Sequence, residues 1–175
     1  MKKFSVIALG LLVAAQVHAA AASDGTVNFT GNIDSQTCTV SVNGGTNTGT
    51  VTLPKIAAAV LANAGQTAGE TRFTIDLKDC STQTGNVYAY FEQGANVNEN
   101  GRLTNTGSAQ NVELQLRDSN EAVINVGSTE QSTSPVTGAL SEGAASLIYS
   151  AEYFATDKAS AGTVVSSVTY SINYL

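Results

Sequence analysis

Val164-Val165-Ser166-Ser167-Val168-Thr169-Tyr170-Ser171-Ile172-Asn173-Tyr174-Leu175 ends the chain, and its alternation decides the fold class. Val168, Tyr170, Ile172 and Tyr174 share one side, and Thr169, Ser171 and Asn173 share the other. A period of two predicts a half-buried strand over residues 164–175. By periodicity alone this reads as an ordinary core strand. It is also compatible with an edge completed from within the molecule or by a neighbour, and the pattern does not choose.

The same alternation recurs upstream. Phe73, Ile75 and Leu77 mark a strand over residues 71–77; Val87, Ala89 and Phe91 one over 86–92; Val112, Leu114 and Leu116 one over 112–116. An apolar stretch over residues 139–155 sets Leu147, Tyr149, Ala151 and Tyr153 on one parity. Asn43-Gly44-Gly45 predicts a turn. Residues 50–56 read as a short edge strand, because Pro54 cannot donate to a central ladder. Residues 57–64 predict the single helical segment, about two turns long. Asp118-Ser119-Asn120-Glu121 reads as a solvated hairpin turn before residues 122–126. A calcium loop would need more oxygens at set spacings. Residues 132–138, with Pro135, form a polar loop.

Composition agrees with many short strands. The 175 residues are 42% hydrophobic and only 13% charged, with 16 Gly, 2 Pro and no Trp. That length is one domain's worth of sequence, and helical bundles are excluded. With 8 basic against 14 acidic residues the net charge is −6, which argues against nucleic acid as a partner.

At the other end, Lys2 and Lys3 precede an apolar run from Phe4 to Ala15, followed by small residues, the layout of a cleavable secretory signal. The run is too short to span a bilayer comfortably. Cleavage after Ala19 is expected, with Ala21 or Ala22 also serviceable. Loss of residues 1–19 removes two lysines and no acids, leaving 6 basic against 14 acidic groups, a formal −8. It also removes His18 and Met1. Without histidine, Ser-His-Asp triads and His-ligated metals are excluded, and neither cofactor nor metal is expected.

Cys38 and Cys80 are the only cysteines, and in an exported chain such a pair reads as a structural disulfide between two strands. Closing about 43 residues contributes roughly 4 kcal/mol in the chain-entropy model. Next to this region, Val27, Phe29 and Ile33 alternate with polar residues as a half-buried strand. Gly31 falls on the buried face, where another backbone or side chain comes close or the strand simply bulges.

Several local matches carry no function. Asn28-Phe29-Thr30 fits a glycosylation sequon but reads as an accidental match. Asp76 and Asp79 read as solvent-facing charges and turn formers rather than an acid/base pair, so no enzyme is expected. Tyr88, Tyr90 and Tyr149 read as packing aromatics rather than a ligand platform.

Jointly, the signal, the segment Gly25-Thr26-Val27-Asn28-Phe29-Thr30-Gly31-Asn32-Ile33, the Cys38 to Cys80 spacing, the run Tyr153-Phe154-Ala155-Thr156 and the Tyr174-Leu175 tail resemble the type 1 major fimbrial subunits of the chaperone-usher pathway. The resemblance covers essentially the whole mature chain. It implies an all-β, incomplete immunoglobulin-like sandwich completed by a donor strand from a neighbouring subunit. A signal peptide (1–19), a donor extension (20–33) and a pilin domain (34–175) follow from it. So do partners: a periplasmic chaperone, an outer-membrane usher, and identical or related pilins joined head to tail.

Carried onto this chain, Val27, Phe29, Gly31 and Ile33 would enter the neighbour's groove, with Gly31 where that groove is tightest. Val168, Tyr170, Ile172 and Tyr174 would form the accepting side. Gly162, fourteenth from the C-terminus, and the penultimate Tyr174 match the family's chaperone-recognition pair. The family's disulfide matches Cys38 with Cys80. The resemblance implies a structural subunit of a surface fimbria that supports adhesion, exported through the periplasm. A minor adaptor pilin is the alternative, and a secreted monomeric lectin-like domain ranks lower.

Overall fold

The computed structural model describes Val27, Asn28, Thr30 and residues 38–175; the expected donor residues Phe29, Gly31 and Ile33 lie outside the described residues. Contacts divide the chain into residues 1–34 and 35–175, and the second unit carries the fold.

Among the described residues, nine strands form two antiparallel sheets: β1 (Thr39–Val42), β2 (Thr67–Lys78), β3 (Thr84–Phe91), β4 (Leu103–Thr104), β5 (Val112–Arg117), β6 (Val123–Ile124), β7 (Gly138–Ser141), β8 (Ala145–Ala155) and β9 (Tyr170–Tyr174). One sheet runs β1-β2-β8-β5-β4, with β6 also on β5; the other runs β7-β3-β9. β8 is the centre of the larger sheet, pairing Phe73 with Tyr149 on β2 and Leu116 with Ala151 on β5.

Alternation places the core between the sheets. Phe73, Ile75 and Leu77 of β2 and Leu147, Tyr149 and Ala151 of β8 meet Val87, Ala89 and Phe91 of β3. Phe91 packs edge-on against the Tyr149 ring, centroids 5.0 Å apart. The Cys38–Cys80 disulfide closes a sequence separation of 42 residues and ties the start of β1 to the end of β2.

Three expectations change. Residues 50–56 form no strand. Val51 and Leu53 still point inward against the core, but among the described residues the backbone of 50–56 has no ladder partner. The two-turn helix of residues 57–64 shrinks to a single 3-10 turn, Ala58–Leu61, because Gly65 turns the chain at φ +84°. One helical turn arises elsewhere, α1 (Glu130–Thr133). The apolar stretch 139–155 breaks at Glu142-Gly143, both at positive φ, so that β7 joins one sheet and β8 the other.

The turn at Asn43-Gly44 forms as read, with φ +50° and +73°. Asp118 Oδ1 accepts the N–H groups of Asn120 and Ala122, which makes it a turn residue.

Candidate functional site: an unpaired seam beside the last strand

The closing strand is shorter than its alternation suggests. Regular pairing covers Tyr170–Tyr174 only, because β3 ends at Phe91. Upstream the chain stays extended and bonds to an irregular loop instead. Thr106 N–H donates to Val165 O at 2.8 Å and Ala109 N–H to Thr163 O at 3.0 Å. On the regular part, Glu92 N–H donates to Thr169 O at 2.9 Å, and Leu175 N–H donates to Asn86 O at 2.8 Å.

Every one of these inward bonds uses an odd-numbered residue. In an extended chain alternate residues direct their N–H and C=O to opposite edges, so Val164, Ser166, Val168, Tyr170, Ile172 and Tyr174 aim theirs away from β3. Among the described residues no strand receives them. The unpaired edge therefore covers eleven residues, about 36 Å of chain.

The side chains tell the same story. All five residues of β9 are half-buried, whereas β8 contains Leu147, Tyr149, Ala151 and Ala155 fully buried. Val164, Val168, Tyr170, Ile172 and Tyr174 lean on the core from one side of the seam. Cys38, Val40, Val51 and Leu53 lean on the same core from the β1 side. β1 pairs only with β2, so the seam lies between two sheet edges. Ser166 Oγ, on the inward row, is buried with no hydrogen-bond partner. Such a group costs about 1–3 kcal/mol in desolvation.

Two tyrosine hydroxyls cross the seam. Tyr170 Oη donates to Asn47 O at 2.8 Å, and Tyr174 Oη donates to Cys38 Sγ at 3.1 Å. Burial raises the pKa of both phenols, so they remain donors at neutral pH. Gly162 sits upstream against the loop backbone; a Cβ there would approach Ala109 N to 2.4 Å and Ala109 Cα to 2.7 Å. Glycine is thus a steric requirement at this position.

The other edge of β3 is handled differently. β7 pairs only as far as Val87. Beyond it, Ala89 N–H donates to Tyr149 Oη at 3.1 Å. Phe91 N–H donates to Gln131 Oε1, and Gln131 Nε2 donates back to Phe91 O, each at 3.0 Å. One amide side chain on α1 thus stands in for a missing strand, a substitution with no signal in the alternation. Tyr88 and Tyr149 line a cleft of about 410 Å³ there, with Asp118 and Glu130 at its wall. Tyr90 Oη donates to Gly127 O. Asp76 accepts Thr74 Oγ1 and Ser146 Oγ, while Asp79 sits in a turn at φ +52°.

The described residues form a two-sheet sandwich whose β9 keeps one edge without a strand neighbour, an edge to which another strand can add. The profile of the family described as "Fimbrial protein" matches residues 27–175, and the chain belongs to that family. It is 43% identical over 171 residues to the major fimbrial subunit SMF-1 of Stenotrophomonas maltophilia (strain K279a), covering 93% of this chain and 99% of that protein. It is 41% identical over 182 residues to the F17 fimbrial protein of Escherichia coli, covering 99% of each. The fold matches the crystal structure of the P pilus rod subunit PapA with a TM-score of 0.53 at 12% identity, over 86% of this chain and 100% of that one. This immunoglobulin-like protein is accordingly a structural subunit of a surface fimbria and assembles with other pilin subunits.

Proposed function

We propose that the subunit polymerises by donor-strand exchange, as the repeating shaft component. The observation that carries this reading is the eleven-residue edge from Val164 to Tyr174, with its backbone groups directed away from β3 and its apolar row half-buried. Val27, Phe29, Gly31 and Ile33 of the next subunit supply the missing strand, and Val168, Tyr170, Ile172 and Tyr174 accept it. Val27 is 74% exposed.

Before assembly, a periplasmic chaperone fills the same seam after residues 1–19 have directed export, with Gly162 and Tyr174 in its recognition surface. An outer-membrane usher is where one strand replaces the other. Burying Val27, Phe29 and Ile33 contributes about 1.5–3 kcal/mol each, and each ladder hydrogen bond about 1 kcal/mol. Head-to-tail insertion does not close on itself, so its product is a filament.

Phe29→Asp tests the donor role. A carboxylate in the neighbour's groove is expected to abolish polymer while the chaperone-bound subunit persists. Wild-type amounts of filament from that variant, seen by electron microscopy of expressing cells, would refute it.

A further inference from the structure

The two hydroxyl bonds across the seam suggest what keeps it wide enough for a strand. Tyr170 and Tyr174 sit four residues apart on one face of β9, and their acceptors flank β1: Cys38 Sγ immediately before it and Asn47 O five residues after its end. As β9 runs forward, the acceptors run backward, so two parallel ties join opposed edges. Both tyrosines also pack against the core, and the side chains of a strand stand off the plane in which its neighbours pair. An incoming strand would occupy that plane and leave the ties intact.

Two strand spacings of about 4.7–4.9 Å separate the neighbours of one missing strand, and a tyrosine side chain leaning beneath such a gap ties the facing edge without the two backbones closing on each other. We infer that Tyr170 and Tyr174 are positioning residues, struts beneath the seam that fix its width at one strand through their hydroxyls. Ile172, between them, has no polar tip and contributes only apolar contact. This assignment rests on the acceptor reading above, but it differs in locating the control of strand uptake in two phenolic hydroxyls.

A strut and a latch predict opposite effects. A latch would have to break before a strand entered, and its removal would speed uptake. A strut preorganises the site, and removing only its hydroxyl slows uptake while the ring that meets the incoming strand stays in place.

The test is uptake of a synthetic peptide of residues 20–33 by the oxidised subunit released from its chaperone. It is followed by native electrophoresis for wild type, Tyr170→Phe, Tyr174→Phe, the double variant and Tyr90→Phe. Tyr90 also donates a hydroxyl bond, to Gly127 O, away from the seam. Uptake about tenfold slower in the double variant, about threefold slower in each single variant and unchanged in Tyr90→Phe is expected from losing two modest hydrogen bonds. Wild-type or faster uptake by the double variant overturns the strut. Should the double variant not fold, the single variants decide by the same criterion. Failure of the wild-type subunit to take the peptide at all would sink the acceptor reading itself.

Discussion

β8 and β9 have the same written pattern and opposite fates. In β8, inward Leu147, Tyr149 and Ala151 alternate with Ile148 and Ser150 on the other face; in β9, Tyr170, Ile172 and Tyr174 alternate with Ser171 and Asn173. β8 is paired on both edges, by β2 and β5, and those inward side chains are 3–5% exposed. β9 is paired by β3 alone, and none of its five residues reaches full burial. Alternation records which face meets a core, not how many neighbours a strand has. An apolar yet half-buried strand with one edge unpaired among the described residues is where the proposed donor strand would add.

Substitutions in the two strands should separate their roles. Tyr149→Ala removes a ring packed on Phe73 and Phe91 together with the hydroxyl that accepts Ala89 N–H. A loss of about 3–5 kcal/mol is expected, enough to deplete folded subunit in denaturant titrations. Ile172→Asp should leave an oxidised, folded monomer that takes no donor strand. Comparable unfolding by both changes would erase the distinction between a core strand and an accepting one.

Gly162→Ala comes next. Its methyl group would press on the Ala109 backbone, and about 1–3 kcal/mol of destabilisation is expected as the segment leading into β9 shifts. A wild-type melting temperature would show that the loop yields freely.

Alkali provides a third contrast. Burial, above all, raises the Tyr149 pKa from 10.0, with nearby Asp118 adding to it and the Ala89 hydrogen bond opposing it. A raised folded-state value holds the proton more tightly in the native state. Its stabilisation is complete below pH 10.0 and is lost as pH rises through the folded-state value. Melting temperatures measured from pH 8 to 11 should therefore fall at the alkaline end, less steeply in Tyr149→Phe.

The smallest effect concerns Ser166. Removing a buried hydroxyl that has no partner should leave the empty subunit as stable as wild type or up to ~1 kcal/mol more so, by thermal unfolding. A clear loss would mean that this hydroxyl is satisfied in solution.

Much of the sandwich was legible in the chain. Strong alternation at Phe73, Ile75 and Leu77, and at Val87, Ala89 and Phe91, placed two core strands, and the cysteine pair placed the staple. Partnership was not legible, because a ladder depends on residues far away in sequence. Residues 50–56 carry strand-like inward residues yet lie beside the seam without a partner among the described residues. Val168 packs against the core with Tyr170, Ile172 and Tyr174 although regular pairing begins only at Tyr170. The Gln131 amide that satisfies Phe91 has no periodic signature. The struts were half visible: both tyrosines stood on the correct face, but their acceptors are a backbone carbonyl and a disulfide sulfur.

The most direct test is a denaturing gel of material sheared from cells expressing this chain with the proposed chaperone and usher, loaded unheated and after boiling in acid. A ladder of multimers without heating that collapses to one band after boiling is the expected result, because a strand paired on both edges leaves very slowly. A single monomer band in both lanes, with the protein free in the medium, would contradict donor-strand assembly.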